Sequence, residues 1–178
     1  MLRLRMAPFT VCSGHSRRPP GMLPRLDAID RQLLDLLQRR ADTPLAELAQ
    51  AVSLSTTPCW RRVQRLRESG LIRGQVLLLD PRRLNLGVTV FVSLRTSRHD
   101  AAWFRSLKDA VDALPEIVEF HRLSGEVDYL LRVLVPDIAA YDRVYQRLVQ
   151  AVDLSDVSAS FSMEEIKSTT VLPLDYLP

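Results

Sequence analysis

Cysteine is scarce in this chain. Cys12 and Cys59 are the only two, and they give neither a disulfide framework nor a metal-ligand spacing. Histidine is nearly as rare: His15 lies near the start, and His99 and His121 have no second His, Cys or carboxylate at a ligand spacing, so no metal centre is expected. No apolar run approaches the roughly 18–20 residues that a transmembrane helix needs, so no membrane partner is expected. Lysine is confined to Lys108 and Lys167, a bias that reads as genomic base composition. There is no phosphate-binding loop and no nucleophile–base pair. Glu164 and Glu165 adjoin on an expected strand, where neighbours point to opposite faces and cannot serve one substrate as acid and base. The expectation is therefore a protein that is not an enzyme, carries no cofactor, and suits a reducing cytoplasm.

What is present describes a globular protein of one medium or two small domains, 47% hydrophobic and 25% charged over 178 residues. The net charge of +3 hides an uneven distribution. Residues 1–25 carry five arginines and no acid, residues 55–73 carry five arginines against Glu68 alone, and residues 91–178 are acidic with a net of −5. A local basic element on an acidic body points to nucleic acid more strongly than overall pI does. The stretch 1–25, with Pro8, Pro19, Pro20 and Pro24 and no apolar period, is expected to be a disordered basic tail. It lacks the apolar core of a signal peptide. Met22 is a candidate for the true start; the competing reading is a basic arm that strengthens DNA binding through phosphates.

The most informative stretch runs from Ser55 to Gly70. Ser55 can cap a helix, Pro58 suits its first turn, and Gly70 can end it in a left-handed conformation. Cys59, Val63 and Leu66 recur at helical spacing as a narrow apolar stripe. Arg61, Arg62, Arg65 and Arg67 lie mostly off it. Hydroxyl residues at the front with arginines behind fit a helix entering the DNA major groove N-terminus first, although a solvated basic face would look similar. Cys59 is expected to be a small core residue, with a thiol switch as the rival reading. Trp60 is read as packing against a neighbouring helix or touching the DNA backbone, with packing preferred.

Two further helices precede this one. The first spans residues 26–40, capped by Asp27 with Asp30 in the capping-box position, and uses Ile29, Leu33, Leu36 and Leu37 as its core face. The second is expected to be capped by Thr43 and entered through Pro44. Together the three make a helix-turn-helix domain over residues 26–80. Residues 76–79 are expected to add an extended segment, the strand beside a winged helix, and residues 81–87 a hinge. Beyond it the chain alternates: a strand at 88–96, a helix at 100–113, strands at 117–123 and 128–135, a helix capped by Asp137, and a strand at 157–163. Thr169 to Leu174 reads as a short fifth strand. The βαββαβ order makes residues 88–178 a ferredoxin-like domain, and the whole an α+β protein.

Several motifs agree, in order, with a known family. Leu26-Asp-Ala-Ile-Asp-Arg-Gln-Leu-Leu, Leu54-Ser-Thr-Thr-Pro-Cys-Trp-Arg-Arg-Val, Ser124-Gly-Glu-Val-Asp-Tyr-Leu-Leu-Arg-Val and Met163-Glu-Glu-Ile-Lys resemble the Lrp/AsnC transcriptional regulators over about residues 26–174. Thr56-Thr57-Pro58-Cys59-Trp60 with Ser160-Phe161-Ser162-Met163-Glu164 looks most like the cysteine-responsive, DecR-like branch. The resemblance implies a cytoplasmic, nucleoid-associated regulator of double-stranded DNA. It also implies a homodimer that assembles into tetramers or octamers, and an amino-acid effector held between C-terminal domains. By position it places Ser124, Gly125, Glu126 and Asp128 in the effector loop, and Ser160 and Ser162 on a strand lining the same pocket. The family commonly has Asp where this chain has Glu126, which bears on effector identity. Physically, a glycine between strands exposes N–H groups that can hold a carboxylate, while Glu126 or Asp128 can pair with an ammonium; a plain hairpin turn would use the same residue types.

The expected base-reading set is Ser55, Thr56, Thr57, Trp60, Arg61, Arg62 and Arg65. Two alternatives stand beside it. One is a tetrapyrrole-processing enzyme on the same scaffold, like the sirohaem decarboxylases, for which His121 is the only hint. The other is an architectural DNA-binding protein with little sequence preference, whose binding would track salt and length.

Overall fold

Start signals and apolar stripes on the first three helices give the N-terminal unit its shape. The computed structural model describes residues 25–177. They form two compact units, one of residues 25–77 with 167–177 and one of residues 78–166. The expected tail as far as residue 24, with Cys12, His15 and the start at Met22, lies outside the described residues.

Helix α1 (Ala28–Arg39) opens on a complete capping box: Asp30 N donates to Asp27 at 2.9 Å and Asp27 N donates back to Asp30 at 3.2 Å. Helix α2 (Leu45–Ala51) starts differently from expectation. Pro44 occupies its N-cap and makes no side-chain bond, while the Thr43 hydroxyl donates to the Arg40 carbonyl at 2.6 Å. Proline at the cap leaves the first turn to the backbone alone. A tight turn through Ser53, at φ 55°, leads to α3 (Thr56–Glu68). Its stripe of Cys59, Val63 and Leu66 is buried with Leu33 and Leu48 in the unit's core. Burial pushes the Cys59 thiol up in pKa, opposite to what a reactive thiol needs. Gly70 ends the helix at φ 81°, the left-handed conformation that glycine adopts without steric cost.

No wing follows. Residues 71–80 form no strand, and the expected extended segment, Val76, Leu77, Leu78 and Leu79, is exposed with no ladder partner among the described residues. Pairing needs a second free strand edge, and none is supplied to it. The hinge holds a single 3-10 turn, Arg82–Leu84, closed by Asn85 at φ 58°.

In the second unit β1 (Val88–Arg95), β2 (Ile117–Arg122), β3 (Tyr129–Val135) and β4 (Asp156–Phe161) form one sheet in the order β2-β3-β1-β4. Every pairing is antiparallel. Helices α4 (Ala101–Asp112) and α5 (Ile138–Ala151) begin at aspartate caps, Asp100 accepting from Trp103 N at 2.8 Å and Asp137 from Ala140 N at 2.7 Å. Both cover one face of the sheet, because Val90, Val92, Leu94, Leu131 and Val133 share a core with Trp103, Leu107, Val144 and Leu148. Alternation then puts Phe91, Ser93, Leu130, Arg132 and Leu134 on the uncovered face.

Residues 169–174 are not a fifth strand. The β-branched run reads as one, but Pro173 lacks a ladder donor and the segment joins the first unit instead. The Gln38 amide stands in for a strand partner, donating to the Leu172 carbonyl at 3.1 Å and accepting from Leu172 N at 2.9 Å. By packing, residues 167–177 therefore group with the first unit and residues 78–166 form the second. Glu164 and Glu165 likewise lie past the end of β4.

Candidate nucleic-acid interface and effector loop

Two of the arginines on α3 are committed within the protein. Arg62 donates to Asp27 at 2.6 Å and to Asp30 at 3.0 Å, and Arg65 donates to Asp30 as well. Asp30 is fully buried, so this is a clamp between α1 and α3. The Asp30 N–H first, and then the Arg62 guanidinium, hold the Asp27 carboxyl below its ordinary pKa. Sequence reading took Asp30 for a capping acid only; nothing in the pattern said that its carboxylate would also receive two arginines from a helix some thirty residues away. Arg62 and Arg65 are thereby given a structural role that the base-reading expectation did not include.

The remainder of the expected set lies open. Ser55 takes the N-cap position of α3 without using its hydroxyl as a cap, and Ser55, Thr56, Thr57 and Arg61 are exposed. Thr57 and Arg61, four residues apart, share one helix face, and Gln64 continues it. Gln64 was not among the expected contacts; its spacing is the signal that would have found it. Trp60 is 51% exposed, so about half of its surface is open on this helix and the rest is covered. The helix presents hydroxyls at its start and an arginine one turn on, the chemistry that reaches base edges and phosphates.

The expected effector residues fall into two groups. Gly125 sits at φ 127° in the turn between β2 and β3, where a side chain would be strained. Beside it Glu126 is almost wholly exposed, with Arg95 at 3.6 Å. Asp128 is less free: one carboxylate oxygen accepts from Thr96 N at 2.8 Å and its own N–H donates to the Leu94 carbonyl at 3.1 Å. It ties the loop to the end of β1. Ser160 pairs with Phe91, and Ser162 N donates to the Thr89 carbonyl. Those positions are five and seven residues back along β1 from Thr96, about 17 and 24 Å at roughly 3.4 Å per residue. Within one chain, then, Ser160 and Ser162 do not line the loop's pocket. His121 bonds Glu119 at 3.2 Å and Arg132 pairs with Glu119 at 2.6 Å, a surface network on β2 and β3. Among the described residues no group of three or more His, Cys, Asp or Glu could hold a metal ion.

A helix-turn-helix followed by an antiparallel sheet with helices on one face is the layout of a DNA-binding transcriptional regulator with a separate ligand-binding domain. Residues 26–67 match the AsnC-type helix-turn-helix domain and residues 89–172 the Lrp/AsnC ligand binding domain. The DNA-binding transcriptional activator DecR of Escherichia coli is 49% identical over 151 residues, 84% of this chain and 99% of that protein. An AsnC family transcriptional regulator from Agrobacterium tumefaciens, known as a crystal structure, is 53% identical, with a TM-score of 0.82 over 86% of this chain and all of the other. A Neisseria meningitidis transcriptional regulator solved in complex with L-Met is 34% identical, also with a TM-score of 0.82, over the same shares. The chain belongs to the Lrp/AsnC family of transcriptional regulators.

Proposed function

We propose that the protein binds a partly palindromic operator as a dimer, with α3 of each copy in the major groove, and that an amino acid controls this binding. The observation that carries the DNA reading is the open N-terminal half of α3, where Ser55, Thr56, Thr57 and Arg61 are exposed together. The amino-acid reading is supported by the matched ligand-binding domain and by the L-Met complex of the Neisseria relative. Cysteine is the first effector to test, from the likeness to the DecR branch. Because Ser160 and Ser162 lie far along β1 from the loop, the site that unites them uses two copies: the loop of one and β4 of another. The exposed apolar run at residues 76–79 supports a second copy pairing along that run, just before the hinge.

Calorimetric titration of the full chain with the common amino acids, cysteine first under reducing conditions, tests the effector. Saturable binding by one or a few is expected, with a shift in operator affinity on adding the same compound. Absence of binding by every amino acid would remove the effector assignment and leave the DNA reading standing.

A further inference from the structure

The C-terminal segment leaves the ligand-binding unit and returns to the DNA-binding one. We propose that residues 167–177 are a strap that positions α1, and through it α3, for operator binding, and that they relay the state of β4 to the recognition helix. The proposal rests on the regulator reading above.

Its grounds are local and specific. Helix α1 carries two separate attachments. Asp27, Asp30 and Leu33 recur along one stripe and hold α3 through the arginine clamp and the core. Arg31, Leu34 and Gln38 recur along a neighbouring stripe and hold the strap. Gln38 makes the paired bonds to Leu172, Arg31 donates to the Leu177 carbonyl at 3.0 Å, and the Leu177 side chain joins the apolar cluster. Between these anchors the strap is not close-packed. A cavity of about 320 Å³, lined by Leu34, Leu37, Leu71, Ile72, Leu172 and Leu177, remains beneath it. A segment held by Gln38, Arg31 and the Leu177 side chain over an open pocket can be released while α1 and α3 keep their clamp and their shared buried residues. In sequence, only residues 163–166 separate Ser162 from Lys167 at the strap's start. The proposed relay runs through these four residues to the strap and to α1, which bears the clamp on α3 along the stripe beside the strap's.

The test uses the full chain, the double variant Gln38→Ala/Leu177→Ala, and a chain ended after Ser168. Operator affinity is read by gel shift at fixed salt with and without L-cysteine or L-methionine. Amino-acid binding is read by calorimetry, and release of the strap by hydrogen exchange at the Leu172 amide in the full-length chains. The variants should keep amino-acid binding within about twofold and lose about tenfold in operator affinity, as expected for two lost hydrogen bonds felt at the interface. In the double variant the Leu172 amide should exchange freely. Any amino-acid dependence of operator affinity should vanish with it. Gln38→Glu, which keeps the acceptor for Leu172 N, should recover part of the affinity. Operator affinity equal to that of the unaltered chain, with Leu172 exchanging freely, would overturn the strap. If the truncated chain loses α1–α3 altogether, the double variant decides. If neither amino acid binds the unaltered chain, the effector reading fails, while the affinity of the double variant still decides the strap.

Discussion

The arginines on α3 divide into two kinds, and the division is testable one residue at a time. Arg61 is exposed, whereas Arg62 spends its guanidinium on Asp27 and Asp30. Arg61→Ala is expected to leave thermal stability unchanged and to weaken operator binding by roughly 1–3 kcal/mol, the worth of a bidentate base contact. Asp30→Ala is expected to act the other way. It removes the buried acceptor of both Arg62 and Arg65, and breaking a buried pair costs about 3–5 kcal/mol when the partner stays buried. Here the arginines are 27% and 46% exposed and can turn toward water, so about 2–3 kcal/mol is the better figure. Urea unfolding and gel shift on both variants separate the two roles. An Asp30→Ala chain as stable as the unaltered one would show that the clamp contributes nothing. A normal operator affinity for Arg61→Ala would remove Arg61 from the interface.

At the scale of elements, helix starts differ in what holds them. Asp100 and Asp137 each accept a bond from the first turn of their helix, but Ser55 does not. Asp100→Ala or Asp137→Ala is expected to cost about 1 kcal/mol, the usual worth of a bonded cap, and Ser55→Ala a few tenths at most. Denaturant midpoints give the comparison; a Ser55→Ala loss as large as that at Asp100 would mean that its hydroxyl caps α3 after all. The same contrast explains how much could be read in advance. Periodicity and caps located the five helices and four strands of the described residues, and the bounds that were expected hold within two residues, because those signals are local. The elements misread were those whose partners are distant in sequence. Residues 169–174 have strand-like side chains, yet their partner is one glutamine on α1. Thr43 is the local exception: its hydroxyl oxygen accepts from Arg40 Nε and its proton goes to the Arg40 carbonyl, while Pro44 takes the cap position. The turn at Ser124 and Gly125 is legible from its glycine, its effector role rests on the family resemblance alone, and its distance from Ser160 and Ser162 depends on strand register, which no single stretch encodes.

At the scale of the whole molecule, the proposed dimer on a partly palindromic operator would need a contact between copies, and among the described residues one apolar run stands exposed without a ladder partner. The four consecutive residues Val76, Leu77, Leu78 and Leu79 are each more than 60% exposed. Burying one such side chain contributes about 1.5–3 kcal/mol, so two copies pairing there gain enough to offset much of the cost of association. Pairing would also satisfy the backbone groups that residues 76–79 leave without ladder partners among the described residues. Because successive side chains of a strand alternate faces, Leu77→Lys and Leu78→Lys test the two faces separately. If the run is the dimer interface, at least one should lower the sedimentation mass toward that of a single chain while circular dichroism stays unchanged. Operator affinity should fall in that same variant, since two half-sites a helical turn apart need two joined helices to be read at once. An assembly of unchanged mass in both variants would move the interface to the uncovered face of the sheet, where Phe91, Leu130 and Leu134 form the next apolar surface.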